Sequence, residues 1–403
     1  MRIVLVSPEY LGVTRAGGIG TVTSIVASGL ARRGHETHVI TRGEPGWRRD
    51  GEVEVMAVRH RSVPNRVAFE FLARRRIAAA ALALGPDVVQ ASEWNADAWW
   101  LARRHRVPVV TRLDTPTYLV ELLNRGAVDP KSGLLRRMER DQTRSSASVI
   151  APSASLAERV STDWSLGPDR VEVISNPVDV ARIREMGATT PTVQLPARFV
   201  AFFGRMEPRK GVGVLGTALP AVLTAHPEVH VMMIGADPGV DAGRFMEGVQ
   251  RDVAKVRDRV HFVGELSRAQ ALAIVARAAV VALPSLWENF GYTCLEAMAL
   301  GRAVVATHTG GLAGIVDDER SGWLVPPGDA RGLAERLTSV LADTSLLERV
   351  GEGARRRAED FDIEPITERL VDLYEQVIAA HGTRTRVRRR KRRQPYAAGT
   401  RLR

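Results

Sequence analysis

Short, wholly apolar runs alternate with helix-like runs along almost the entire 403-residue chain. RIVLVS (2–7) comes first, then GTVTSIVASGLARRG (20–34), an amphipathic run closed by Gly34. THVIT (37–41), DVVQAS (87–92), VPVVTRLD (107–114), ASVIAPS (147–153) and VEVISNP (171–177) follow, with an Ala-rich helical run near 74–84. From about residue 197 the pattern starts again, with RFVAFFG, HVMMIGA, RVHFVGE, AVVALPS and AVVATHT. Strands without polar alternation are buried on both faces, and parallel strands separated by helices supply that burial. The expected fold class is therefore α/β, with two Rossmann-like, doubly wound parallel sheets facing a cleft.

A chain of this length exceeds one ordinary core. The expected division is an N-terminal domain over 1–185, a polar, proline-containing linker, a C-terminal domain over 195–360, and a last helix over 361–382 packing back toward the N-terminal domain. The stretch 383–403 is expected to be disordered. It carries ten Lys or Arg and no acid, so the net charge of +11 is almost entirely its own and the body is nearly neutral. Contact of this stretch with anionic lipid is one expectation and a solvated tail the other, and no nucleic-acid motif accompanies it. A single cysteine, Cys294, rules out a disulfide framework and fits a reducing cytoplasm, and no apolar run reaches bilayer length.

Ligands of such sheets bind beyond the carboxyl ends of the strands, and four segments fall there. Gly17 and Gly18 follow the first strand and precede a helix, where backbone N–H groups suit an anion, although a plain glycine turn fits equally. Gly204, Arg205 and Lys210 lie in GRMEPRKG after the first strand of the second half. Lysine is scarce here, only Lys131, Lys210, Lys255 and Lys391, so an arginine fork and a lysine five positions on read as a diphosphate clamp rather than a solvated loop. In ENFGYTCLEAMALG, Glu288 and Glu296 stand around Asn289, Phe290 and Gly291 at a helix start. A carboxylate accepts two hydroxyl protons at once, which suits sugars, while two acids complementing a helix dipole is the alternative. The fourth, THTGGLAGIVDD (307–318), is a turn that either closes on a ligand or only turns the chain.

Together these stretches resemble the retaining GT-B glycosyltransferases of family 4 over about residues 1–380, most specifically in ENFGYTCLEAMALG, and also in GRMEPRKG, GHETHVIT and VISNPVD. The resemblance implies transfer of a sugar from a nucleoside-diphosphate sugar to a small-molecule or glycan acceptor. Retention, no metal and no cofactor beyond the donor go with it. It implies that Arg205 and Lys210 hold the diphosphate, Glu296 the ribose and Glu288 the donor sugar, with Gly204, Asn289, Phe290 and Gly291 contributing and the Gly17–Gly18 loop covering the reacting centre. Acceptor contacts are expected from Glu93, Trp94, Asp114 and Tyr118.

One departure stands out. The family commonly has a histidine where RLDTP places Asp114, and Gln90 and Ser92 stand where histidines are frequent. Asp114 is read as a catalytic substitute meeting an atypical donor or acceptor group, such as an amino or otherwise cationic one; a turn-capping aspartate is the plain alternative. Two further readings follow: a nucleotide-sugar-binding protein without catalysis, and a transferase using a lipid-linked acceptor at the membrane surface. The one Asp-x-Asp, Asp360 to Asp362, lies far from the strand ends, and the first glycine loop is weak for a nicotinamide dehydrogenase.

Overall fold

The computed structural model describes residues 1–14, 17–59, 66–167, 169–236 and 243–393. Its first sheet is built from β1 (Arg2–Ser7), β2 (Glu36–Gly43), β3 (Gly46–Asp50), β4 (Val53–Arg59), β5 (Val88–Ser92), β6 (Val109–Arg112), β7 (Ser148–Ala151) and β8 (Val171–Val173). The strand order is β3-β4-β2-β1-β5-β6-β7-β8. The second sheet holds β9 (Phe199–Phe203), β10 (His230–Ile234), β11 (Val260–Gly264), β12 (Val280–Leu283), β13 (Val304–Thr307) and β14 (Trp323–Val325), ordered β11-β10-β9-β12-β13-β14. Every pairing is parallel except β3 with β4. Each sheet reverses its winding beside its first strand, at β1/β5 and at β9/β12, and such switch points open a crevice at the strands' carboxyl ends.

Burial explains the apolar strands. Along β1, Ile3 and Leu5 pack with Val26 and Leu30 of the helix Gly18–Arg32, while Val4 and Val6 face Ile77 and Leu101 on the other side. In β9, Val200 and Phe202 join one core and Phe199 and Ala201 the other.

Four local differences from the sequence reading have physical reasons. The antiparallel hairpin β3–β4 was not anticipated, because GWRRD is exposed throughout and lacks an apolar face. Strand β14 is only three residues long. The first part of the expected linker is the helix Val180–Gly187, whose Val180 and Ile183 are in the second domain's core. The last helix runs over Ile363–Arg393, so 383–393 continues a helix where disorder was expected. Arginine and lysine are good helix formers once a helix is nucleated. Residues 394–403 lie outside the described residues.

That last helix returns to the first domain. Ile366, Leu370, Leu373 and Tyr374 share one core with Ile3, Leu5 and Val88, and Tyr374 Oη donates to Gln90 Oε1 at 2.7 Å. At the crossing, Val178 N donates to Phe361 O at 2.9 Å and Val180 N to Asp362 Oδ1 at 3.0 Å. Asp362 thus joins the two chain passages between the domains. No described helix is long and apolar enough to cross a membrane.

Candidate functional site

A cleft of about 760 Å³ lies between the two switch points, walled by residues that follow β1, β5, β6, β9, β10, β11 and β12. The loop after β9 forms its cationic wall. Gly211 adopts φ +71°, and a Cβ there would sit 1.8 Å from the Pro284 carbonyl oxygen, so this loop lies directly on the end of β12. Leu286 N donates to Arg209 O at 2.8 Å across the same seam. Lys210 Nζ is thereby brought onto Glu288 Oε1, which also accepts from Ser285 Oγ at 3.1 Å, and Arg209 lies 3.7 Å from Glu288 Oε2. Burial penalises the Glu288 carboxylate, but Lys210 and Arg209 outweigh that cost and hold its pKa below the usual range. Arg205 reaches into solvent and pairs with Glu207 at 3.2 Å; Arg209 shares that partner at 2.7 Å.

The Glu288 loop is fixed from behind. Gly310 has φ +51°, and a Cβ on it would meet Glu288 O at 1.8 Å, while Gly311 N donates to that same oxygen at 2.9 Å. THTGG is thus the seat of the Glu288 loop. Gly291 then turns the chain into the helix Tyr292–Ala299, whose first residues face the cleft with their free N–H groups. Phe290 lines the cleft and packs its ring on Tyr292 and Phe361.

The opposite wall comes from the first domain. Glu9 Oε2 accepts from Gly17 N at 2.6 Å and Gly20 N at 3.3 Å, so a carboxylate already occupies the start of the helix Gly18–Arg32. Asp114 is nearly buried at the cleft floor. Its Oδ2 accepts from Ser92 Oγ at 2.6 Å, and Arg112 Nε stands 3.8 Å from Oδ1. Beneath it Glu93 is fully buried: Oε2 accepts from Asp114 N at 2.6 Å and Oε1 has no hydrogen-bond partner. Burial raises both carboxyls above their usual range, Glu93 well above it; the Asp114 charge adds to the rise at Glu93, while Arg112 and Ser92 oppose it at Asp114. Asn289 bridges the walls, with Nδ2 donating to Asp114 O and its own carbonyl accepting from Ser153 Oγ at 2.9 Å.

Of the residues singled out in the sequence, the cleft gathers Gly18, Trp94, Asp114, Gly204, Arg205, Lys210, Glu288, Asn289, Phe290 and Gly291. Four stand elsewhere. Gly17, at the helix start, is not among the lining residues and donates its N–H to Glu9. Tyr118 turns away from the cleft and donates to Asp163 at 2.7 Å in a separate surface pocket, because helix periodicity gives the cleft to Val120 and Leu123 instead. Glu93 lies below the cleft surface, without exposure through which to touch an acceptor. Glu296 is buried in the helix Tyr292–Ala299 and receives Arg268 at 2.6 and 2.9 Å; burial raises its pKa against that arginine. Sequence reasoning passed over Arg209, Glu9 and Arg268. Arg209 sat in the quoted motif, but spacing favoured its neighbours; Glu9 and Arg268 acquire meaning only through partners distant in sequence.

Residues 16–182 match the family model described as Glycosyltransferase Family 4, and residues 197–343 that described as Glycosyl transferases group 1. The glycogen synthase of Mycobacterium tuberculosis H37Rv is 30% identical, across 93% of this chain and 94% of its own. The chain belongs to the family 4 glycosyltransferases. A D-inositol 3-phosphate glycosyltransferase of Saccharomonospora viridis is 28% identical over 92% of each chain. Among solved structures, sucrose-phosphate synthase from Thermosynechococcus elongatus superposes with a TM-score of 0.73 at 22% identity, covering 94% of this chain and 99% of its own. Anabaena HepE in complex with UDP gives 0.71 at 20% identity, over 93% and 100%. The fold of this glycosyltransferase is accordingly GT-B, with the cleft between its two domains.

Proposed function

We propose that this glycosyltransferase moves a sugar, with retention and without a metal, from a nucleoside-diphosphate sugar to a hydroxyl of a small-molecule or glycan acceptor. The observation that carries the reading is the convergence of Arg205, Arg209 and Lys210 with the start of the helix Tyr292–Ala299 on one cleft. Donor-bearing relatives of the same fold, such as HepE in complex with UDP-glucose, support it.

The chemistry follows from charge. As the bond from the sugar's anomeric carbon to the phosphate oxygen breaks, negative charge grows on the diphosphate. Guanidinium, ammonium and helix-terminal N–H groups already in place stabilise it without reorganisation. Lys210, bound to Glu288 in the free protein, can share its three protons between that carboxylate and a phosphate oxygen. The acceptor oxygen attacks from the face the phosphate leaves, and the departing phosphate oxygen takes the acceptor's proton. In this reading Glu288 faces the donor sugar, Gly17, Gly18 and Gly204 close on the donor, and Glu296 holds the ribose after sharing Arg268. Asp114 and Trp94 meet the acceptor side. Asp114 supports an acceptor or donor bearing a cationic group, because a carboxylate there takes the place of a neutral imidazole.

Thermal unfolding with UDP, GDP, ADP and dTDP tests the donor half. One diphosphate should raise the midpoint of the wild type and fail to do so for Lys210→Ala; no shift with any of them would remove the diphosphate assignment. Because Asp114 replaces a histidine, a protein that binds the donor without turnover is the second reading. Donor consumption in the presence of an acceptor panel separates the two.

A further inference from the structure

A second pocket, of about 440 Å³, opens on the outer side of the first domain, between the helices Thr117–Arg125, Gly133–Ser145 and Ala154–Asp163. Arg136, Arg137 and Arg140 project into it from one face of the middle helix. None of the three has an acidic partner among the described residues, and the Nε atoms of Arg136 and Arg140 are buried with no hydrogen-bond acceptor. Like charges four residues apart on a helix are mutually unfavourable. The acids on the same helix offer no relief. Glu139 turns inward to Thr117 at 2.7 Å, and Asp141 faces Arg103 at 3.6 Å. The one acid in the pocket, Asp163, is shared by Arg159 at 2.6 Å and Tyr118 at 2.7 Å. By contrast, the buried guanidinium of Arg42 has Asp97 and Glu70 beside it.

We infer that this pocket is a binding site for a phosphate-type oxyanion, separate from the donor cleft. The three guanidiniums of Arg136, Arg137 and Arg140, clustered without an acidic partner, provide the planar fork donors that phosphate oxygens match. Tyr118 and Leu122 form an apolar wall that suits the body of a molecule carrying the anion. The helix Thr117–Arg125 is common to both sites, since its Val120 and Leu123 line the cleft. An occupant is therefore one helix diameter, about 10 Å, from the acceptor side of the reacting centre. That is where a phosphorylated part of an acceptor, remote from its reacting hydroxyl, would lie.

The test is calorimetric titration of inorganic pyrophosphate into Lys210→Ala, whose donor cleft is weakened, and into the same protein also carrying Arg136→Gln and Arg140→Gln. Saturable binding is expected in the first and at least a tenfold loss in the second, the size of removing a charge-assisted hydrogen bond. Equal affinity in the two proteins, or no binding to Lys210→Ala, overturns the inference. Arg137→Gln, at an exposed position, gives a second readout if the double replacement disturbs the helix: weaker pyrophosphate binding with an unchanged unfolding midpoint supports the site, and unchanged binding counts against it. A vesicle arm separates the sources of the oxyanion. Partitioning onto phosphatidylglycerol vesicles that the Arg136 and Arg140 replacements abolish assigns it to a lipid headgroup, whereas pyrophosphate binding without partitioning assigns it to a soluble ligand.

Discussion

Glu93 is a costly residue to bury beneath the cleft. An ionised carboxylate with no exposure, an unpartnered Oε1 and a second carboxyl hydrogen-bonded to Ser92 just above it would be strongly disfavoured. Its neighbours are Arg112 at the end of β6, Asp114 in the loop that follows, and Glu139 from the helix Gly133–Ser145, itself pushed up to about 7 by burial. A carboxyl whose folded pKa lies above its unfolded value keeps its proton in the folded state while the unfolded chain ionises. Its effect on stability is nil below the unfolded pKa and grows unfavourable as pH rises through the window up to the folded pKa, by as much as about 1.4 kcal/mol per pH unit. Glu93→Gln replaces the proton-bearing carboxyl with a neutral amide of the same shape. The variant should therefore gain stability relative to wild type between pH 5 and pH 8, read as urea midpoints at the two values. A wild-type-to-variant difference that stays constant with pH would mean that Glu93 is ionised in the fold.

The loop from β9 to the helix Val212–Ala225 owes its position to one backbone contact. At Gly211 both the left-handed φ and the 1.8 Å approach of a hypothetical Cβ to Pro284 O forbid a side chain; Gly34 has φ +79° with nothing within 4 Å. Gly34→Ala should thus cost only left-handed strain, about 1–2 kcal/mol, and Gly211→Ala clearly more, with loss of nucleoside-diphosphate binding because Lys210 is displaced from the cleft. Equal costs in thermal unfolding would show that contact with β12 does not hold the loop. The same loop shows what was legible beforehand. Apolar runs and glycine turns are local signals, so the two doubly wound sheets and the places of Gly204, Lys210 and Glu288 could be read directly. The hairpin β3–β4 could not, since exposed GWRRD has no buried face to advertise it. Nor could the tie from Asn289 to Asp114, two residues far apart in sequence, or the outward turn of Tyr118, which depends on the helix phase relative to a neighbouring domain.

The molecule is held as one body by the helix that leaves the second domain and closes the core of the first. Leu370 is fully buried among β1 and helix Gly18–Arg32 residues, and Gly29 of that helix lies so close that a Cβ there would stand 2.4 Å from Thr367 Oγ1. The C-terminal segment is thus part of the N-terminal domain's core, and opening the cleft must bend the chain where Val178 and Val180 meet Phe361 and Asp362 rather than at a single linker. Leu370→Ala should cost about 2–5 kcal/mol, the usual range for emptying a core leucine site, and the loss should appear in the first domain although the residue follows the second in sequence. Native-state hydrogen exchange reads this directly. Amides of β1 and β5 should lose protection by the full amount, and those of β9 and β12 should keep theirs, because their core of Val200, Phe202, Val280 and Val305 does not include the helix. Protection lost equally in both sheets would mean that the domains unfold as one cooperative unit. Protection lost only around β9 and β12 would place the helix's stabilising contacts in the second domain and remove the strap from the first.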